Sequence, residues 1–120
     1  MRIFKTRWFV RYARQERIVE SSLREAVERA ENGLVDADLG GHIIKQRVAR
    51  PGRGRSGGYR VIIALRHEDR AILLYGFAKN DRENIEESQL NTLRNIAVDW
   101  LAMTDAKIEQ AVLEGRLQEI

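Results

Sequence analysis

The residues best suited to chemistry lie in one basic stretch at positions 45–60, which reads KQRVARPGRGRSGGYR. It holds no carboxylate, and its basic residues are Lys45, Arg47, Arg50, Arg53, Arg55 and Arg60. With Arg66, residues 39–67 carry a charge of +7, whereas the remaining 14 basic and 18 acidic residues give −4. A second segment, YGFAKNDREN, places Lys79 after an apolar run and near Arg82. Positive charge concentrated in this way favours a polyanion, and RNA is the leading candidate.

Cleavage of RNA needs a base for the ribose 2′-hydroxyl, positive charge to stabilise the phosphorane, and an acid for the leaving oxygen. The basic stretch supplies the positive charge. A metal-dependent nuclease would need clustered carboxylates, and residues 39–67 contain none. A mechanism with two histidines has only His42 and His67, and His67 falls in a predicted hairpin turn, which leaves His42 alone.

Lysine is the remaining candidate for the base or the acid. Free lysine titrates near pH ~10.4, so a lysine base at neutral pH needs its pKa lowered by roughly 3 pH units, or about 4 kcal/mol. Like-charge repulsion from arginines can supply that change, which makes Lys45 beside Arg47 and Lys79 near Arg82 the candidates. The arginines themselves stay protonated, so their predicted roles are to clamp phosphate and to stabilise charge.

Three predicted strands, at residues 43–49, 59–65 and 71–78, must position these groups, with the loop PGRGRSGG between the first two. Side chains alternate along a strand, so each strand presents one set on a common face. The sets are Lys45, Arg47 and Ala49; Arg60, Ile62, Ala64 and Arg66; and Leu73, Tyr75, Phe77 and Lys79. If the three faces coincide, they form a basic pocket with Tyr75 or Phe77 as an aromatic platform, but sequence does not give the register.

Helices are predicted on both sides of this sheet in the chain order. The N-terminal part predicts a short strand at Ile3 and Phe4, a basic amphipathic helix carrying Trp8, Phe9, Tyr12 and Ala13, and a second helix capped at Ser22 and ended at Gly33. The C-terminal part predicts a helix after a cap at Asn84, a last helix from a cap at Thr104 to Gly115, and an edge strand at 117–120. The pattern is typical of an α+β fold with an antiparallel sheet.

Composition excludes several classes of protein. The 120 residues suit a single domain, and no apolar run approaches the roughly 20 residues of a membrane span. Basic residues interrupt the N-terminal apolar residues, so a secretory signal is not expected. Without cysteine there is no disulfide or thiolate chemistry, which fits the cytoplasm, and neither a metal nor a cofactor is expected.

Each of these residues also has a purely structural interpretation. A basic run is usually a solvated face, although seven charges without a carboxylate favour binding. Lys79 equally suits protection of a sheet edge, and Tyr75 and Phe77 are more often core residues than stacking platforms. Trp8 and Trp100 are assigned to packing. The basic first helix suits RNA or an acidic protein partner.

The motifs quoted above, in order, resemble the RelE/ParE superfamily of bacterial toxins, in particular the RelE-like, HigB-type branch. The resemblance covers nearly the whole chain and rests on IFKTRWF, on GLVDADLGGHIIKQRVARPGRGRSGGYR, on LLYGFAKNDRENI and on a helical C-terminal tail. It implies a RelE-like fold, with two N-terminal helices packed on a small antiparallel sheet and helices at the C-terminus. It also implies a ribosome-dependent mRNA endoribonuclease that is neutralised by a helix-turn-helix antitoxin.

The resemblance also implies roles for individual residues. In such toxins basic residues on the sheet replace the usual histidines, and here that role falls on Lys45, Arg47, Arg60 and Lys79. RNA contacts fall on a second set, namely Arg50, Arg53, Arg55, Tyr75, Phe77 and Arg82. RelE-type toxins use a tyrosine near the end of the sheet, whereas this chain has Phe77 at the nearest alternation and Tyr75 two residues earlier.

Two other functions remain open at this stage. ParE-type members of the same superfamily poison DNA gyrase without cleaving RNA, although the dense lysine and arginine content of the sheet favours RNA. A non-catalytic module that only binds RNA or the antitoxin is the third possibility.

Overall fold

The computed structural model describes residues 1–50, 54–79 and 85–120, and for residues 54–57 the backbone alone. Six strands and four helices follow one another within these residues. They are β1 (Arg2–Thr6), α1 (Arg7–Glu16), α2 (Glu20–Glu31), β2 (Ala37–Asp38), β3 (Ile43–Arg50), β4 (Gly54–Arg66), β5 (Arg70–Ala78), α3 (Glu87–Ala102), α4 (Asp105–Leu113) and β6 (Leu117–Glu119). The α+β prediction is confirmed.

The six strands form one sheet in the order β2-β3-β4-β5-β1-β6. Strands β3, β4 and β5 pair antiparallel, as predicted, and β6 pairs antiparallel with β1 as the expected edge strand. Strand β1 pairs in parallel with β5, with Ile3 opposite Ala71. No partner was predicted for β1, because this pairing joins segments nearly 70 residues apart and leaves no local signal.

Helices cover both faces of the sheet. Helices α1 and α2 bury Phe9, Ala13, Leu23 and Val27 against one face, in a core that includes Ile44, Val61 and Leu73. Helices α3 and α4 bury a second stripe against the other face, in a core that includes Ile43, Ile62 and Phe77. The predicted packing of two N-terminal helices on the sheet is confirmed, and the C-terminal helices take the opposite face.

Helix ends follow the predicted caps in some places only. Thr104 caps α4 by accepting a hydrogen bond from the Lys107 N–H, and Gly115 follows that helix with φ +74°. The cap predicted at Ser22 is wrong, because α2 begins at Glu20 and the Ser22 and Leu23 N–H groups already donate to the Val19 carbonyl. Helix α3 begins at Glu87 with Glu86 as its cap residue, and the predicted cap Asn84 lies outside the described residues.

Strand β4 begins earlier than predicted, and residues 51–53 of the predicted loop lie outside the described residues. Strand β4 begins at Gly54, which pairs with Arg50, so the prediction of a loop over residues 54–58 is wrong. The two backbones approach closely at Gly58, where an added Cβ would overlap the Val48 carbonyl oxygen. Glycine is required there because any side chain would collide with the neighbouring strand.

Candidate functional site

The central strands bring the predicted site residues into two rows across the sheet. Lys45 lies opposite Ile62, which lies opposite Tyr75, and Arg47 lies opposite Arg60, which lies opposite Phe77. Directly paired residues point to the same face, and Ile62 and Phe77 belong to the core under α3 and α4. The hypothesis that the basic faces of β3, β4 and β5 coincide is thus confirmed.

A β-bulge in β5 determines which side chains join those rows. Ile62 pairs with Tyr75 but Ile63 pairs with Leu73, so Leu74 is the extra residue. Leu73 packs under α1 and α2, whereas Tyr75 and Phe77 belong to the opposite face. The predicted placement of Leu73 on the face of Tyr75 is therefore wrong, because the bulge reverses the alternation.

Arg60 lies at the centre of the basic rows and is buried, with 9% of its surface exposed. Its Nη1 donates to the Tyr59 carbonyl at 3.3 Å. Burial, and then repulsion from Arg47, lowers the pKa of Arg60, and attraction to Asp36 opposes this. Arginine nevertheless stays protonated at neutral pH, so the rows carry a fixed positive charge in a partly desolvated place.

Arg47 is exposed, and side chains from outside the sheet fix its backbone. Its N–H donates to Asp36 Oδ2 at 2.7 Å, and its carbonyl accepts a hydrogen bond from Arg29 Nη2. Arg29 also donates to Asp36 Oδ2 at 3.2 Å and to Glu25 Oε1 at 2.7 Å. Because β2 begins only at Ala37, opposite Lys45, these side chains take the place of a neighbouring strand at Arg47.

The Asp36 carboxylate is held in its ionised form. Partial burial raises the pKa of Asp36, but the hydrogen bond from the Arg47 N–H and the hydrogen bond and charge of Arg29 outweigh this, so the pKa falls below its usual value. A carboxylate that accepts such bonds is strongly favoured over the protonated acid. Asp36 therefore remains a constant partner for the Arg47 backbone at neutral pH.

Gln46 anchors this arrangement from within the core. Its side chain is fully buried, and Oε1 accepts a hydrogen bond from the Asp36 N–H at 2.7 Å. Nε2 donates to the Ala26 carbonyl at 2.9 Å and to the Leu34 carbonyl at 3.2 Å. Sequence reasoning missed Gln46, Asp36 and Arg29. The available signal was a glutamine at an inward position between Ile44 and Val48, where alternation favours an apolar residue.

Of the two predicted lysines, Lys45 belongs to one of the rows and Lys79 lies beyond the other, after the end of β5. Lys45 is half-buried, and Lys79 is exposed in the turn after β5, where its N–H donates to the Gly58 carbonyl at 3.2 Å. The Arg50 guanidinium lies over the Tyr59 ring, 5.7 Å from the ring centroid. Arg53, Arg82 and the side chain of Arg55 lie outside the described residues.

Aromatic side chains border the same face. Tyr75 is half-buried and stacks on Trp8 with 4.5 Å between ring centroids, and Trp8 stacks in turn on Tyr12 at 5.0 Å. Trp8 packs against both rings, as predicted, although it is 38% exposed. Phe77 is 4% exposed and packs in the core next to Arg60, so it supports the basic rows from the core side.

The histidines lie at the far end of the hairpin. His42 precedes β3 and His67 follows β4, so Arg47 lies five positions after His42, or about 17 Å at the rise of a strand. Among residues 1–50, 54–79 and 85–120, no group of His, Cys, Asp or Glu side chains could hold a metal ion. In that same part of the chain, no helix has the length and apolar character needed to cross a membrane.

These features describe a helix-covered sheet with a row of cations on one face, and the comparison with known families assigns its class. A family model described as the RelE toxin of the RelE / RelB toxin-antitoxin system matches residues 1–120, which defines the toxin of a toxin-antitoxin pair. The chain belongs to the RelE toxin family, and its partner is an antitoxin. No curated protein matches the chain. The resemblance to the superfamily is confirmed, and the HigB-type branch stays a prediction.

Proposed function

We propose that the chain, as one domain over residues 1–120, cleaves mRNA on the ribosome and so inhibits translation in the cytoplasm. The observation that carries this proposal is the alignment of Lys45, Arg47 and Arg60 on one face, beside Tyr75. A row of cations with an aromatic neighbour suits a single RNA strand, whose phosphates need charge and whose bases need a stacking surface.

We assign different steps of the reaction to different residues of the site. Arg60, buried and permanently charged, and Arg47, exposed and held by its backbone, stabilise the negative charge of the phosphorane. Lys45 and Lys79 carry the protons, and neither step calls for a metal. Arg50, with Arg53, Arg55 and Arg82, holds the RNA backbone, and Phe77 supports the site from below.

Expression in a bacterium, with mRNA 5′ ends mapped on translated and untranslated copies of one message, tests this function. The wild type should arrest growth and cut only the translated copy. The double substitution Lys45→Ala/Arg47→Ala should abolish both effects, whereas Arg24→Ala, an exposed arginine on α2, serves as the matched control and should leave them intact.

The same experiment separates the alternatives. Growth arrest with intact mRNA and damaged DNA would favour a toxin that acts on gyrase. RNA binding without arrest or cleavage would favour a non-catalytic module.

A separate surface suits the antitoxin, which we expect to be a helix-turn-helix protein with an acidic segment. A cavity of about 560 Å³ lies between α1 and β6 and is lined by Lys5, Arg11 and Leu117 among others. The basic face of α1 continues along it to Arg14. Opposite charge favours an acidic chain there. Arg11→Glu/Arg14→Glu should weaken antitoxin binding and leave mRNA cleavage unchanged.

A further inference from the structure

We propose that the groove between α1 and β6 binds a carboxylate side chain of the antitoxin on the ammonium group of Lys5, an inference that rests on the antitoxin surface proposed above. Lys5 belongs to β1 and is buried, with 8% of its surface exposed, although its side chain is charged. Lysine is almost never fully buried in a protein unless an opposite charge pairs with it. The burial of Lys5 therefore calls for a partner.

The Lys5 ammonium group is incompletely satisfied within the chain. Its Nζ lies 3.6 Å from Glu20 Oε2, which is too long for a hydrogen bond, and the Glu20 side chain is 46% exposed. In the part of the chain that the structure describes, Lys5 Nζ donates no hydrogen bond. The donors of this ammonium group are therefore open to water or to an acceptor from another molecule.

Two adjoining cavities meet at Lys5 and form one groove along α1. The larger has a volume of about 560 Å³ and extends toward the end of α4, and the smaller has a volume of about 290 Å³ and extends toward the end of α1. Lys5, Val10 and Gln118 line both cavities. Because Gln118 pairs directly with Lys5, β6 forms one wall at the level of the ammonium group and α1 forms the other. A side chain that enters between these walls reaches Lys5.

The lining of the groove favours a protein segment over an RNA strand. Val10 and Leu117 supply apolar surface beside Lys5, and Arg11 and Arg14 are exposed along the rim. An apolar centre with a charged rim is the usual composition of a protein–protein interface. A segment that carries both acidic and apolar side chains matches this groove, whereas a phosphate backbone would leave its apolar surface uncovered.

The groove lies on the face of the sheet opposite to the basic rows. Lys5 shares the face of Ile3, which belongs to the core under α1 and α2. Lys45 lies opposite Ile62, which belongs to the core under α3 and α4. Strands β4 and β5 also separate β3 from β1, which places their backbones about 14 Å apart at the usual strand spacing. Binding at Lys5 and binding of RNA can therefore be measured separately.

Surface plasmon resonance with the purified cognate antitoxin tests the site. Lys5→Met removes the ammonium group and keeps an unbranched side chain. Loss of one partner of a buried charge pair acts mainly on dissociation, so this variant should release the antitoxin roughly 30-fold faster or more, with little change in the association rate. Lys107→Met, at an exposed lysine on α4, is the matched control and should leave both rates unchanged.

A second substitution should act in the opposite direction. The Glu20 carboxylate competes with an incoming carboxylate for Lys5, so Glu20→Gln should slow dissociation of the antitoxin by up to roughly 5-fold, the range for an exposed ion pair. This increase in affinity keeps the proposal testable even if Lys5→Met does not fold. The melting temperature of free Lys5→Met should equal or exceed that of the wild type, because its ammonium group has one distant and exposed partner.

The results separate this site from the surface around it. Wild-type rates in Lys5→Met and Glu20→Gln, with weaker binding by Arg11→Glu/Arg14→Glu, would retain the antitoxin surface and overturn the Lys5 site. Wild-type rates in all of these variants would overturn the surface and the site together. Slower association of Lys5→Met with unchanged dissociation would reduce Lys5 to a general attraction and overturn the proposal. Weaker RNA binding by Lys5→Met, with unchanged antitoxin kinetics, would assign the groove to phosphate and also overturn it.

Discussion

Two arginines at the β4–β5 hairpin hold the C-terminus of α3, and replacing each by leucine should have very different effects on stability. Arg70 has 3% of its side chain exposed, and its Nη1 donates to the Trp100 carbonyl at 3.2 Å and the Met103 carbonyl at 2.8 Å. It also pairs with Asp69 at 3.0 Å. Arg66 donates to the Leu101 carbonyl at 2.6 Å, but its side chain is 49% exposed.

The expected magnitude follows from what each substitution leaves behind. Arg70→Leu leaves the Trp100 and Met103 carbonyls without this buried donor, at roughly 1–3 kcal/mol for each unsatisfied group, whereas Asp69 keeps its ion pair with Arg66 at 2.6 Å. The two carbonyls together give an expected loss of about 4 kcal/mol. The Arg66 side chain is 49% exposed and its ion pair with Asp69 at 2.6 Å lies at the surface, so Arg66→Leu should cost about 1 kcal/mol or less.

Urea unfolding measures the difference. With a slope of about 2 kcal/mol per molar urea, Arg70→Leu should lower the midpoint by roughly 2 M, and Arg66→Leu by about 0.5 M or less. The slopes should match the wild type, because the fold is unchanged. Equal midpoint shifts for the two variants would refute the reasoning that burial, rather than hydrogen bonding alone, sets the contribution of these arginines.

Three further predictions concern the site and its supports. Arg47→Ala should weaken RNA binding and reduce the slope of log affinity against log salt by about 0.7, the contribution of one phosphate contact on a single strand, and an unchanged slope would remove Arg47 from the phosphate contacts. The pKa of Asp36 is lower in the folded chain than its usual 3.8, so its contribution to stability is complete above that pH and is lost as the pH falls through the folded value. In acid titrations of stability, Asp36→Asn should therefore flatten the curve below about pH 4, and an identical curve would contradict the assignment. Gly76→Ala should cost about 1–3 kcal/mol, because the new methyl group would displace the Tyr12 ring, and wild-type thermal stability would count against this contact.

Local signals in the sequence predicted most of the elements. Alternation located β3, β4 and β5, and the apolar spacing of Phe9 and Ala13 located α1. Thr104 and Gly115 marked the ends of α4 because a cap depends on residues only a few positions apart. The cap predicted at Ser22 was wrong, because a local signal does not register tertiary packing. The packing of Leu23 extends α2 toward the N-terminus, so the helix begins at Glu20.

Features that depend on distant contacts had no such signal. The bulge at Leu74 and the parallel pairing of β1 with β5 depend on how strands meet, which local periodicity does not encode. The support of Arg47 by Asp36 and Arg29 joins residues more than ten positions apart. The particular contact of Trp8 with Tyr75 depends on where α1 crosses the sheet, which the sequence does not give.

Purified ribosomes carrying a defined message, incubated with the toxin, provide the most direct measurement of the central claim. With wild-type toxin, primer extension should show that the message is cut at codons in the decoding site. The message should stay intact when ribosomes are omitted. Arg47→Ala, whose side chain is exposed and whose fold should be intact, should remove the cuts. Intact message on ribosomes that bind the toxin, or undiminished cutting by Arg47→Ala, would contradict the account.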